Sequence, residues 1–107
     1  MKGTFLGELE ELVLLTAAAL GEDAYGVAIV AEIEETTGRK MNIGAIHTVL
    51  RRLEDKGFAK SRLGGATAER GGRRKRIYAL TPAGSATLEQ IYKIRTTLYE
   101  RINPSLS

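Results

Sequence analysis

Arg70, Arg73, Arg74, Lys75 and Arg76 put five positive charges into seven consecutive residues, "RGGRRKR", in a chain of 107 residues whose formal charge is only +3. Like charges at that density repel one another, so the segment either spreads out in solvent or sits against an outside polyanion. A second set of polar side chains lies upstream in "NIGAIHTVLRRLEDKG". There Asn42, Ala45, His47, Thr48, Arg51 and Arg52 are interleaved with Ile46, Val49, Leu50 and Leu53, which fall at helical spacing. The polar set therefore occupies the helix face that the apolar set leaves free. It runs from small residues, Gly44 and Ala45, through hydrogen-bonding ones to two guanidinium groups, a surface that another molecule can approach closely.

Catalysis has no comparable support. His47 is the one histidine and there is no cysteine, so a zinc site cannot be completed. No GxSxG or HExxH motif occurs, and "GGATAERGGRR" lacks the GK[ST] ending of a phosphate-cradling loop. The paired acids Glu10-Glu11 and Glu34-Glu35 read as solvated helix faces. The expectation is a protein that is not an enzyme and takes no metal or cofactor.

Length and composition bound the scaffold. A chain of 107 residues is one compact unit that buries roughly two-thirds of its unfolded surface. Its 43% hydrophobic and 27% charged residues are ordinary for a soluble protein. The longest apolar run, Leu12 to Leu20, is interrupted by Thr16 and is too short to span a bilayer. The opening "MKGTFLGELEELVLL" carries three Glu before that run, the wrong charge for a secretory signal, so a cytoplasmic location is expected. Charge is unevenly distributed. Residues 1–38 hold one Lys against eight acids, residues 39–76 twelve Lys and Arg against three acids, and residues 77–107 three against two. That asymmetry predicts a basic face aimed at a polyanion and an acidic side turned elsewhere.

The elements that must position these residues follow from periodicity and punctuation. Leu6, Leu9, Leu12, Val13, Ala17 and Leu20 predict a first helix, stopped by Gly21. Asp23 is the expected N-cap of a second, in which Val27, Ile29, Val30 and Ile33 share the buried face up to Gly38. Asn42 caps a third, which ends at Gly57. "FAKSRL" and "KRIYAL" then read as an antiparallel hairpin with a glycine-rich loop, Tyr78 and Leu80 facing inward. Thr81 caps a last helix that has Pro82 at its first position. Along it Leu88, Ile91, Ile94, Leu98, Tyr99 and Ile102 form an apolar stripe, too long for the rest of the domain to cover, and a second copy of the chain is its simplest partner. The fold class is mainly α with a small β-hairpin.

Three helices followed by a basic hairpin is the order of a winged helix-turn-helix. "GAIHTVLRRLEDKGFAKSR", followed by "GGRRKRIYALTPAG", resembles the recognition helix and wing of PadR-like transcriptional regulators, and "LLTAAALGEDAYGVAIVAEIEETTG" resembles their first two helices. The resemblance spans residues 5–84, and the single helix after the wing is that of the short members. It implies a homodimeric repressor of double-stranded DNA, with residues 1–81 as the DNA-binding domain and 82–107 as a dimerisation helix. It also implies the option of a small-molecule effector at the dimer centre, where Phe5, Tyr92 and Tyr99 are the available aromatic residues. His47-Thr48 stands where the family usually has Tyr-Pro, so its base contacts do not transfer to these positions. In this reading the wing arginines grip phosphates, Asn42 holds the helix end, and specificity comes from Ala45, His47, Thr48 and Arg51. An RNA-binding or protein-interaction winged helix is the alternative that the residues leave open.

Overall fold

In the computed structural model, residues 6–66 and 74–102 are described. Helix α1 (Glu8–Leu20) leads through one 3₁₀ turn (Gly21–Asp23) into α2 (Gly26–Thr37) and α3 (Ile43–Asp55). Strands β1 (Ala59–Ala66) and β2 (Arg74–Leu80) follow, and α4 (Pro82–Ile102) is the last element among the described residues. The fold is the expected one, mainly helical with a single two-stranded hairpin.

The starts of α1, α3 and α4 each have a local cause. At α1 the Glu10 carboxylate accepts the Gly7 N–H at 2.9 Å, and Glu8, Glu10 and Glu11 lie in the first turn, where the helix dipole favours acids. At α3 the Asn42 side chain accepts from the Ala45 N–H at 2.7 Å, as its residue type suggests. At α4 the Thr81 hydroxyl accepts from the Gly84 N–H at 3.0 Å and donates to the Gly57 carbonyl at 2.6 Å. The second helix departs from expectation. Asp23 belongs to the 3₁₀ turn, and Tyr25 occupies the N-cap without a side-chain cap bond. Val27, expected in the buried face, is 56% exposed. It precedes the fully buried Ile29 by two residues, which sets it about 200° around the helix axis.

The core gathers Val13, Leu14 and Ala17 of α1, Ile29 and Ile33 of α2, and Ile46, Val49, Leu50 and Leu53 of α3. Phe58, Ala59 and Tyr78 extend it under the hairpin. Ser61 pairs with Tyr78 and Leu63 with Arg76, the register shifting between Leu63 and Ala66. A further antiparallel bridge joins Tyr25 to Ile77, and the Tyr78 N–H donates to the Ala24 carbonyl at 2.8 Å. The chain between α1 and α2 thus serves as a one-residue third strand that fixes β2 to the helices.

Helix α4 starts hard against the joint between α3 and β1. A Cβ on Gly84 would lie 2.0 Å from the Phe58 carbonyl oxygen, closer than any side chain can come to a backbone atom. Further along, the apolar stripe divides. Leu88 packs against the core and Ile91 is only 8% exposed, so the domain covers its first part. Ile94, Leu98, Tyr99 and Ile102 stay open, Ile102 at 76%. Arg95 donates twice to the Glu11 carboxylate, at 3.2 and 2.8 Å, which ties the middle of α4 to α1.

One buried acid joins α1 to the end of α3. The carboxylate of Glu10 is buried and accepts two hydrogen bonds from Lys56 Nζ, at 3.0 and 2.8 Å. Burial alone would push its pKa up. The Lys56 hydrogen bonds, the Gly7 N–H, and the charges of Lys56 and Arg52 outweigh burial and hold it below the ordinary carboxylate value.

Two expectations follow for stability. Gly84→Ala should cost about 1–3 kcal/mol by overpacking, seen as a lower urea midpoint at unchanged slope. Glu10 has a lowered pKa in the folded state, so it stabilises above the ordinary carboxylate range and loses that contribution as pH falls through its folded pKa. Glu10→Gln should therefore cost about 1–3 kcal/mol at pH 7, with the difference from wild type shrinking toward pH 3. Urea unfolding of both proteins across that range measures it, and a pH-independent difference would show that the carboxylate charge is irrelevant.

Candidate nucleic-acid interface

The outward face of α3 carries the sequence-derived set. Asn42, His47, Thr48, Arg51 and Arg52 are exposed and Ala45 is half-buried. Asn42 Oδ1 is committed to its cap, and the Thr48 hydroxyl donates to the Gly44 carbonyl at 3.1 Å. The two arginines part company, because consecutive residues on a helix point about 100° apart. Arg51 turns toward the hairpin and lines a cleft of about 380 Å³ with His47, Glu54, Ser61, Arg76 and Tyr78. Arg52 lies on the side of α1, where its charge acts on Glu10.

The hairpin's basic residues divide in the same way. Arg76 shares the α3-facing side of the sheet with Tyr78, and its Nη1 donates to Ser61 Oγ at 3.0 Å. Ser61 in turn donates to Glu54 Oε2 at 2.7 Å. Lys75 faces the other way, its Nζ 4.1 Å from the centre of the Tyr25 ring in a cation–π contact. The backbone of Arg74 opens β2 opposite Ala66. Arg70 and Arg73 lie outside the described residues. Burial pushes the Tyr78 phenol above its ordinary pKa, and nearby Glu54 adds to this while Arg76 and Arg51 oppose it. Five charged or ionisable side chains, His47, Arg51, Glu54, Arg76 and Tyr78, therefore meet where α3 and the hairpin join.

Acids elsewhere keep other cations away from this face. Among the described residues the salt bridges are Arg39–Glu8, Lys56–Glu10, Arg62–Glu22 and Arg95–Glu11, every acid coming from α1 or the turn after it. Arg51, Lys75 and Arg76 form no salt bridge among the described residues. The uneven charge of the sequence thus has a spatial counterpart among the described residues: the acids of α1 and the turn after it pair with Arg39, Lys56, Arg62 and Arg95, and the cations at the junction of α3 and the hairpin are left out of such pairs.

Several contributors carry no advance signal. Gly26 lets the His47 ring lie against the start of α2, since a Cβ there would come 2.7 Å from His47 Nε2 and 3.0 Å from Ile43 Cδ1. Tyr25, Glu54 and Ser61 enter through contacts between separate elements. Periodicity reports which face of an element is free, not which neighbour it meets.

A helix with an exposed basic face, carried on two supporting helices and flanked by a hairpin, defines a winged helix-turn-helix. The model of the transcriptional regulator PadR-like family matches residues 14–90, and the chain belongs to that family, a family of DNA-binding transcriptional regulators. Solved structures share the fold. A PadR-like transcription factor from Bacteroides fragilis is 22% identical with a TM-score of 0.74, over 89% of this chain and 86% of that one. A PadR-like transcriptional regulator from Bacillus cereus is 19% identical with a TM-score of 0.73, over 92% and 91%. A PadR family transcription regulator from Clostridium difficile is 27% identical with a TM-score of 0.70, over 94% and 100%. No curated protein matches significantly. Among the described residues no helix is long and apolar enough to cross a membrane.

Proposed function

We propose that the protein is a homodimeric repressor that occupies a pseudo-palindromic operator in the cytoplasm. The observation that carries this reading is the junction of α3 and the hairpin, where Arg51, Lys75 and Arg76 form no salt bridge among the described residues while acids of α1 and the turn after it pair with cations elsewhere. In this reading α3 enters the major groove. Ala45, His47 and Thr48 meet base edges there, and Asn42 holds the helix end. Arg70, Arg73, Arg74, Lys75 and Arg76 grip phosphates from the wing, and Arg52 does so from the α1 side of α3.

Residues 1–81 form the DNA-binding part and 82–107 the dimerisation part. Ile94, Leu98, Tyr99 and Ile102 are 43–76% exposed along α4, and burying each large apolar side chain is worth about 1.5–3 kcal/mol. A second α4 provides a matching surface for that burial. Leu88 and Ile91 support the helix from within their own protomer. An effector at the dimer centre would meet Tyr92 and Tyr99, both exposed, and occupancy there would release the operator.

The wing is tested by Arg73→Ala with Arg74→Ala, titrated between about 50 and 200 mM salt on genomic operator and random duplexes. If each protomer loses two phosphate contacts, the logarithmic salt slope should become shallower by about 3.6 units, at about 0.9 per phosphate. Affinity should fall on both duplexes with little change in their ratio, and an unchanged slope would remove the wing from the interface. The dimer is tested by Leu98→Asp with Ile102→Asp, which should sediment as monomers and lose tight operator binding. A wild-type protein that sediments as a monomer at micromolar concentration would refute the assembly.

A further inference from the structure

Glu54 is the acid at the junction of α3 and the hairpin, and two considerations argue against an acid there. It lies in the last turn of α3, where the helix dipole disfavours negative charge. It also lines the cleft with Arg51, His47 and Arg76, on the side that a phosphate backbone would approach. Its neighbour Asp55 is exposed, whereas Glu54 is half-buried and engaged. The carboxylate accepts the Ser61 hydroxyl proton at 2.7 Å. That leaves the Ser61 oxygen to accept from Arg76 Nη1 at 3.0 Å. Ser61 has one proton to give and gives it to Glu54, so its oxygen faces Arg76 in one orientation. A hydroxyl polarised by a carboxylate is also a stronger acceptor. The relay crosses from α3 to β1 to β2, and the cleft that Glu54, Ser61 and Arg76 line is shared with Arg51 and Tyr78.

We infer that Glu54 is a positioning residue for DNA binding: through the Ser61 hydroxyl it holds the Arg76 guanidinium beside Arg51, so that helix and wing present a preset pair of cations to the DNA backbone. The inference rests on the proposed docking of α3 and the wing. Arg76 uses one donor of its guanidinium in the relay, and the others remain for phosphate oxygens. Fixing the side chain beforehand removes an ordering cost from the binding step.

The sign of one substitution separates this role from simple charge. If Glu54 acts on DNA only through its negative charge, Glu54→Ala should raise affinity. If it positions Arg76, Glu54→Ala should lower affinity about tenfold, Ser61→Ala should match it, and the two together should lose no more than either alone. Glu54→Gln keeps an acceptor for Ser61 without the charge, and should bind within about twofold of wild type or more tightly. In an Arg76→Ala background the direction should reverse, because only the repulsion of Glu54 remains to be removed. Higher affinity of Glu54→Ala with Arg76 intact would overturn the inference. A readout without DNA judges the relay separately: nitrogen relaxation of Arg76 Nε–H in the free protein should show a rigid group in wild type and Glu54→Gln, and a mobile one in Glu54→Ala and Ser61→Ala. Equal mobility in all four proteins would overturn the relay. Failure of the wild type to bind any duplex would instead refute the docking on which it rests.

Discussion

The constraint on which the molecule depends is the separation of its charges, and α1 enforces it. Glu8, Glu10 and Glu11 of α1 and Glu22 of the turn after it take up Arg39, Lys56, Arg95 and Arg62 in turn, drawing one cation each from the α2–α3 linker, the end of α3, α4 and the hairpin. Two of these pairs, Arg39–Glu8 and Arg62–Glu22, are exposed at both partners and contribute little to stability individually. Their collective effect is on the field. An acid released from α1 toward α3 would cancel part of the potential that attracts a polyanion, and a cation released from these pairs would blur where that potential is centred.

The same helix supplies the mechanical frame. Its apolar side, through Val13, Leu14 and Ala17, backs α3, while the chain just beyond its end bridges Ile77 and caps the backbone of Tyr78. A lone two-stranded hairpin is marginal in water, so a wing of this size needs fastening along β2. Tyr78 performs both tasks, its ring in the core and its N–H on Ala24. At the other end, the approach of Gly84 to Phe58 fixes where α4 leaves, and with it the direction in which the open part of the stripe points.

What the sequence discloses here is what short-range physics determines. Asn42 and Thr81 are legible as caps because a cap is a contact three residues long, and the buried face of α3 is legible because four apolar residues repeat at its period. The basic run that leads into β2 is legible as charge without needing any geometry. Asp23 misled because an N-cap residue type also suits a 3₁₀ turn, and Val27 misled because its apolar character does not tell which side of α2 is buried. Leu88 and Ile91 could not be separated from Leu98 and Ile102, since a stripe has one period along its whole length and only packing shows where the domain stops. Arg51 and Arg52 are alike as letters, yet one faces the hairpin and the other an acid of α1.

The polar junction of α3 and the hairpin was the least legible part, for a related reason. Glu54 and Ser61 are seven residues apart and Ser61 and Arg76 fifteen, so their meeting depends on the turn at Gly57 and the register of the hairpin together. Slipping β2 by one residue would turn Arg76 to the opposite face and bring Lys75 or Ile77 to the helix instead. The bridge between Tyr25 and Ile77 opposes that slip, and Lys75 over the Tyr25 ring opposes it again from the far side of the sheet. Which cations reach the α3-facing side of the sheet is therefore decided by a backbone contact of the segment that joins α1 to α2. The composition of the wing supplies the charge, and the register imposed on it by Ala24 and Tyr25 decides how that charge is shared between its two faces.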